Sequence, residues 1–211
     1  IINFLAMANG FTAINSFMTI ALQDSRDLSP SYLTVWIGVA QLLSSSLMSP
    51  FMDTFNRRTL FLISSALMAI IHGTLAALYF ASSMGEIPHL SWLLFALITA
   101  FLCIDGMFLG PLPPVVSGEL LPQDVKALGS SLAQIFGSLG GFLGTAVFLP
   151  ISDAFGIHIN FILFSFLNLI MFLYIYFYLP ETKGKTLAEI QRELKGEEKP
   201  KENAKTLDKM V

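Results

Sequence analysis

The sequence predicts an all-α membrane protein, and three observations carry this prediction. Of the 211 residues, 54% are hydrophobic and only 13% are charged, a balance more apolar than that of a water-soluble domain. The mean hydropathy is +0.68. Apolar runs of about twenty residues, the length that crosses about 30 Å of hydrocarbon, recur between short polar breaks. Lipid is therefore the expected solvent of this chain.

Six such runs are predicted to span the membrane as helices. Their approximate bounds are 1–22, 32–52, 59–81, 91–116, 127–149 and 159–179, so that residues 1–180 form one transmembrane bundle. The breaks between them are short, which predicts antiparallel packing of neighbouring spans. Residues 181–211 are rich in charge and predict a tail, with a short helix at about 187–194 followed by disorder.

Charge predicts the orientation and excludes several classes of function. If the tail is cytoplasmic, eleven of the twelve basic residues lie on that side and only Arg26 lies outside. The net charge of −3 gives no broad basic surface, so we expect no nucleic-acid partner. A single cysteine, Cys103, excludes an intrachain disulfide. The sequence shows neither a metal-ligand cluster nor a nucleophile–base pair, so we expect no metal, no cofactor and no enzymatic activity.

Polar side chains inside a span need a partner or water, so they mark helices that line a cavity. At about 100° per residue, five polar side chains of the first span share an arc of about 120°. They are Asn9, Thr12, Asn15, Ser16 and Thr19. This face either hydrogen-bonds to neighbouring helices or lines a polar pathway, and we favour the pathway. In the second span Gln41 is the best candidate for binding a hydroxyl-rich ligand, because an amide both donates and accepts hydrogen bonds.

Two ionisable groups lie deep in predicted spans. Asp105 is the only acid well inside a span, where charge is costly unless it is paired, hydrated or protonated. It is either a candidate proton site or a neutral acid that bonds to a neighbouring helix. His72 in the third span is predicted to be a packed, hydrogen-bonded histidine. Glycines in the fifth span predict either close helix packing or room for a helix to slide; they are Gly137, Gly140, Gly141 and Gly144.

Three prolines lie at the end of the fourth span, in the stretch GPLPP at residues 110–114. Each proline in a helix interior removes a backbone hydrogen bond. Prolines are tolerated where the freed carbonyl groups face other helices or a water-filled cavity. The stretch therefore predicts a bend beside a pathway.

Three motifs lie in order along the chain. The first is DTFNRR at residues 53–58, close to a family pattern DRxGRR. The second combines GPLP with Glu119, Pro122 and Lys126, and the third is PETKG at residues 180–184. Together with the six spans, they resemble the sugar porter family of the major facilitator superfamily, most closely its insect facilitated trehalose transporter type.

The resemblance implies that the chain is the C-terminal half of a twelve-helix carrier, spans seven to twelve, and that a six-helix N-terminal half completes it. It implies a sugar substrate, mono- or disaccharide, bound between the halves and moved by facilitated diffusion with alternating access. The sugar-contacting positions of the family fall on Asn9, Asn15, Gln41 and Pro114, of which Pro114 replaces a tryptophan. We expect the plasma membrane as the location.

The resemblance also implies a gate of charged residues at the cytoplasmic side. Its members are Asp53, Arg57, Arg58, Glu119, Lys126 and Glu181. The alternative is that these charges only set the topology. Two other functions remain open at this point: a proton-coupled sugar symporter that uses Asp105, and a sugar sensor or structural relative that does not transport.

Overall fold

The computed structural model describes residues 1–18, 30–85, 90–181 and 183–184, without the side chains of 30–31, 47–54 and 90–91. These residues form α-helices, one π-helical turn and connecting segments, and contain no strand. The helices are α1 Ile2–Met7, α2 Phe11–Ser16, α3 Pro30–Thr54, α4 Arg57–Met84, α5 Leu90–Ile104, α6 Leu112–Leu120, α7 Gln123–Phe155 and α8 Ile157–Tyr178, with the π turn Asp105–Leu109 between α5 and α6. The all-α prediction is confirmed for this part of the chain.

Four helical segments are long and apolar enough to cross a membrane. They are Arg57–Met84, Trp92–Leu120, Gln123–Phe155 and Ile157–Tyr178, and they correspond to the third to sixth predicted spans. Helix α3 covers the second predicted span. The number of six spans remains a prediction, as do the short helix at about 187–194 and the rest of the tail from residue 185 onward, which lie outside the described residues.

The first predicted span is not one continuous helix. Helix α1 ends at Met7, and Gly10 takes the left-handed conformation with φ 98° before α2 begins. A β-carbon on Gly10 would lie 2.6 Å from the ring of Phe164 on α8, so both the backbone and the packing require glycine here. The polar arc predicted for a straight helix is therefore wrong: Asn9 is buried, whereas Asn15 is exposed. Thr19 lies outside the described residues.

The fourth predicted span changes helix type before its prolines. The N–H of Gly110 donates to the carbonyl oxygen of Asp105 at 2.8 Å, the five-residue spacing of a π turn. Pro111 and Pro113 then stand at the start of α6, where a helix has unpaired N–H groups and a proline costs little. The irregularity expected at GPLPP thus begins at Asp105. The prolines start a new helix instead of interrupting an old one.

Two kinds of packing hold the bundle together. Helices α4 and α8 pack along their lengths through buried aromatic rings, such as Tyr79 stacked on Phe161 at 5.2 Å. Helix α7 instead presents glycines to α1 and α2. A β-carbon on Gly140 would collide with the carbonyl oxygen of Phe4, and one on Gly141 would lie 3.1 Å from the hydroxyl of Thr12. The glycines of α7 therefore allow close helix packing.

Candidate functional site

A buried polar pair joins the first and fourth predicted spans. The side-chain nitrogen of Asn9 donates to the carboxyl oxygen Oδ1 of Asp105 at 2.6 Å. The side-chain oxygen of Asn9 accepts the backbone N–H of Phe11 at 2.9 Å, at the start of α2. Asn9 is 0% exposed and Asp105 is 3% exposed. Both polar atoms of the Asn9 amide therefore have partners inside the protein.

Gln41 lies on α3, close to the π turn. A β-carbon on Gly106 would lie 3.2 Å from the hydroxyl of Ser45, so α3 and the π turn are in close contact there. The hydroxyl of Ser45 donates to the backbone carbonyl of Gln41 at 2.8 Å, which places Gln41 one helical turn from this contact. The Gln41 side chain is partly exposed. Gln41 is therefore less enclosed by the described residues than Asn9 is.

The other two predicted contact positions are exposed. Asn15 lies near the end of α2, and Pro114 lies in the first turn of α6. The hydroxyl of Ser16 beside Asn15 donates to the carbonyl of Thr12 at 2.8 Å and is satisfied within its own helix. The predicted contact set therefore divides into three accessible positions and Asn9, which is enclosed.

The predicted gate residues assemble at one end of the bundle. Arg57 at the start of α4 forms an ion pair with Glu119 near the end of α6, with 3.2 Å between Nη2 and Oε1. The two side chains are 13% and 31% exposed. Glu181, which follows α8, accepts the backbone N–H groups of Arg57 at 3.1 Å and of Arg58 at 3.3 Å. We call Arg57, Arg58, Glu119 and Glu181 the ion cluster.

Glu181 caps helix α4 from a distant part of the sequence. The N-cap residue Asn56 makes no side-chain bond to the first turn of α4. The first N–H groups of a helix need acceptors and attract negative charge, and the Glu181 carboxylate provides both. The N–H of Lys183 also donates to Glu181, at 3.0 Å. The start of α4 and the segment after α8 are thereby held together.

Arg58 of the ion cluster also contacts α8, and the two predicted gate residues outside the cluster are Lys126 and Asp53. The guanidinium of Arg58 donates to the carbonyl oxygen of Tyr176 on α8 at 2.6 Å. The side chain of Lys126 on α7 lies over α6, because a β-carbon on Gly118 would be 3.7 Å from its Cε. Asp53 lies near the end of α3, and its side chain is outside the described residues. The described charges thus connect α4 to α6 and to α8.

Sequence reasoning missed two polar contacts between helices. Asn3 on α1 donates to the hydroxyl of Ser117 on α6 at 3.0 Å. Asn160 on α8 donates to the carbonyl of Phe148 at 2.9 Å and to the hydroxyl of Ser152 at 2.8 Å, both on α7. The available signal was an asparagine within an apolar run, which needs a partner in lipid. His72 is buried and bonds through Nδ1 to the carbonyl of Met68 at 3.0 Å, as the sequence predicted.

Comparison with known proteins places the chain in a family. A family profile described as "Sugar (and other) transporter" matches residues 1–194. The chain belongs to this sugar transporter family. The family is one of transporters, not of enzymes. With four helices apolar enough to cross a membrane, the protein is an integral, multi-pass membrane protein.

Several insect transporters are similar to this chain over most of its length. The chain is 27% identical over 195 residues to the facilitated trehalose transporter Tret1 of Aedes aegypti, covering 92% of the chain and 24% of that protein. It is 26% identical over 195 residues to the Culex quinquefasciatus protein of the same name, covering 92% and 38%. It is 26% identical over 191 residues to trehalose transporter 1 of Drosophila melanogaster, covering 88% and 22%. The chain spans well under half the length of these relatives.

Among the described residues, no group of three or more His, Cys, Asp and Glu side chains could hold a metal ion. The polar groups that the described residues bury inside the bundle are amides, hydroxyls, the imidazole of His72 and the carboxyl of Asp105. Several of them bond to one another or to backbone carbonyl groups. Of the predicted contact positions, Gln41 and Asn15 are the exposed or partly exposed amides that can exchange hydrogen bonds with a hydroxyl-bearing molecule.

Proposed function

We propose that the protein is a facilitative sugar carrier that works by alternating access and moves a mono- or disaccharide such as glucose or trehalose down its gradient. The observation that carries the proposal is the ion cluster. It links the start of α4 to the end of α6 and to the segment after α8 through partly exposed, non-covalent contacts. The family and the trehalose transporters among the relatives support the substrate class.

The strength of the ion cluster suits a reversible gate. A solvent-exposed ion pair contributes about 0–1 kcal/mol, and a carboxylate at a helix N-terminus contributes about 0.3–1 kcal/mol. Two or three such contacts total at most about 3 kcal/mol and change a conformational equilibrium by up to about a hundredfold, since about 1.4 kcal/mol is a factor of ten. The cluster therefore favours one state of the carrier without locking it. In this proposal the contacts hold the cytoplasmic ends together when the carrier faces outward, with Lys126 and Asp53 at their margin.

Sugar hydroxyls would meet the accessible polar positions. Gln41 is partly exposed beside the π turn, and Asn15 is exposed on α2. Both amides can donate and accept, as a hydroxyl group requires. Pro114 is exposed at the start of α6 and offers no hydrogen-bond donor, so it would shape the cavity by contact alone. The opposite wall would come from a second six-helix half of the same carrier.

We propose the following arrangement in the membrane. Six spans at about 1–22, 32–52, 59–81, 91–116, 127–149 and 159–179 form the C-terminal half of a twelve-helix major facilitator fold. The tail 181–211 lies in the cytoplasm and the carrier in the plasma membrane. The distribution of basic residues supports the orientation, because eleven of twelve then lie on the cytoplasmic side.

The substitution Gln41→Ala in the full native protein tests this function. We expect uptake of labelled trehalose or glucose to fall about tenfold, because one or two hydrogen bonds to the sugar are lost. The protein should still reach the membrane, which surface labelling measures. The matched control is Gln134→Ala, which removes an exposed amide from α7 and should leave uptake unchanged. Equal uptake by Gln41→Ala and wild type would contradict the assignment of this site.

A further inference from the structure

A chain of hydrogen bonds connects the two broken spans. The N–H of Phe11, in the first turn of α2, donates to the side-chain oxygen of Asn9. The side-chain nitrogen of Asn9 donates to the carboxyl of Asp105. The backbone carbonyl of Asp105 accepts the N–H of Gly110, which closes the π turn. The start of α2 and the π turn are thus joined through two side chains.

The orientation of the Asn9 amide follows from its partners. A backbone N–H can only donate, so the atom facing Phe11 must be the amide oxygen. The amide nitrogen then faces Asp105 and supplies the donor that a buried carboxyl oxygen needs. Two residues fully enclosed in the protein satisfy each other, and Asn9 has no polar atom left for a sugar. The pair thus differs from Gln41, whose side chain is partly exposed.

The location of the pair gives it a mechanical consequence. Within the part of the chain that the structure describes, Gly10 and the π turn are the two places where a predicted span leaves regular α-helical geometry. If either break rearranged alone, it would separate Asn9 from Asp105 and leave both buried polar groups without partners. Such a loss is costly in a protein interior. The two breaks must therefore rearrange together, or the protein loses the stabilisation of the hydrogen bond between Asn9 and Asp105.

We propose that Asn9 and Asp105 form a positioning pair that couples the break at Gly10 to the π turn, and that neither residue contacts sugar or carries a proton. The proposal deepens the proposed function and rests on it for the role in transport. The pair sets the geometry in which Gln41 and the start of α6 face the substrate. It acts on the rate of conformational exchange rather than on sugar affinity.

An exchange of the two residues tests the proposal. Asn9→Asp alone places two carboxyl groups face to face, so the amide donor between them is lost and they can bond only after one of them takes up a proton. The double variant Asn9→Asp with Asp105→Asn restores one donor and one acceptor with the direction reversed, and the new carboxylate still accepts the N–H of Phe11. Asp105→Asn alone keeps an accepting oxygen at this position, so it should be less harmful than Asn9→Asp.

Transport kinetics of the full native protein provide the first measurement. We expect Asn9→Asp to lower the maximum uptake rate about tenfold with less than about a twofold change in the half-saturating sugar concentration, because a buried hydrogen bond between the two breaks is lost. The double variant should regain at least half of the wild-type rate. The dependence of uptake on external pH should be the same in Asp105→Asn as in wild type.

Thermal unfolding of the same purified variants provides a second measurement that does not require transport. Asn9→Asp should lower the melting temperature by about 5 °C, and the double variant should recover most of that shift. The matched control is Asn3→Asp, the same substitution on α1, where the partner is the hydroxyl of Ser117 and can donate to the new carboxylate. It should change neither the melting temperature nor uptake appreciably.

The outcomes separate the two proposals. Recovery in the double variant by both measurements supports the coupling. If the losses of uptake rate and melting temperature in the double variant equal the sum of the losses in the two single variants, the pair is not coupled and the inference is overturned. A raised half-saturating concentration in Asn9→Asp, or loss of pH dependence in Asp105→Asn, also overturns it. If wild type takes up no sugar while the melting temperature recovers in the double variant, the pair is supported and the proposed function fails.

Discussion

The continuous helices α4 and α8 and the two broken spans are held together by different interactions. Between α4 and α8 aromatic rings pack together, as in the stacking of Tyr79 on Phe161 with ring centroids 5.2 Å apart, and the hydroxyl of Ser165 donates to the carbonyl oxygen of Ala69 at 2.8 Å. Between the broken spans the contacts are directional hydrogen bonds, Asn9 to Asp105 at 2.6 Å and Asn3 to Ser117 at 3.0 Å. The hydrogen bonds between the two broken spans lie beside irregular backbone, whereas α4 and α8 are regular helices.

This comparison shows where the bundle can change shape. Lipid chains are as apolar as aromatic side chains, so packing shape, more than hydrophobicity, determines how α4 and α8 associate. Their regular backbones satisfy their own polar groups. A broken span has unpaired backbone groups that must find partners in the protein, and hydrogen bonds fix its position at a few points. We therefore assign rearrangement to the broken spans and support to α4 and α8.

The largest expected effect comes from filling the contact between α7 and the first span. In Gly140→Ala the new β-carbon would collide with the backbone carbonyl oxygen of Phe4, which cannot rotate away. We expect a loss of about 1–3 kcal/mol in the free energy of unfolding, or about 5–10 °C in melting temperature. The control is Gly38→Ala on α3, where a β-carbon meets nothing within 4 Å. Equal melting temperatures for the two variants would contradict the close contact.

A smaller effect is expected at the link between the two regions. Glu119→Gln removes the ion pair between α4 and the fourth span, and with it part of the preference for the outward-facing state. About 1 kcal/mol corresponds to a change of about fivefold in that equilibrium. The half-saturating concentration for sugar entry should therefore rise about two- to fivefold, while that for exit falls.

Zero-trans uptake and exit assays measure both values for Glu119→Gln. Asp153→Asn serves as the control, because this exposed carboxylate lies near the end of α7 away from the ion cluster. Its kinetics should match those of wild type. A Glu119→Gln protein with unchanged entry and exit would show that the ion cluster only sets topology.

The smallest effect is expected within the aromatic contact of α4 and α8. The ring of His72 on α4 lies 5.8 Å from that of Phe164 on α8 between centroids, and its Nε2 has no hydrogen-bond partner among the described residues. Phenylalanine is similar in shape and leaves no polar atom unpaired, so His72→Phe should change the melting temperature by less than about 3 °C. Asn160→Leu provides the contrast, because it removes two hydrogen bonds to α7 and should cost more. A large loss in His72→Phe would mean that the ring has an essential polar partner.

The sequence was sufficient for the helical class and the order of the apolar segments, because both follow from composition and run length. The break at Gly10 could not be predicted in the same way. The ring of Phe164, which is far away in the sequence, packs so closely on Gly10 that a β-carbon there would lie 2.6 Å from it. A regular arc of about 100° per residue assumes a straight helix. For this reason the arc predicted Asn9 and Asn15 on one face of the helix, whereas in the structure Asn9 is buried and Asn15 is exposed.

The charged cluster was partly predictable. The motifs that contain Arg57, Glu119 and Glu181 indicated which residues meet, and the structure brings these three together. The sequence did not indicate that Glu181 would bind backbone N–H groups of α4, because a cap supplied by a distant segment depends on tertiary packing. The π turn was missed for a similar reason. Prolines mark a break, but the hydrogen bond from Gly110 to Asp105 decides where it begins.

The central claim is that the protein exchanges sugar across a membrane without a coupled ion. Counterflow of labelled trehalose or glucose into proteoliposomes preloaded with the same unlabelled sugar tests it most directly. The account predicts a transient accumulation of label that depends on the preloaded sugar and is the same with and without a proton gradient. Sugar binding without counterflow, or counterflow that requires the proton gradient, would contradict it.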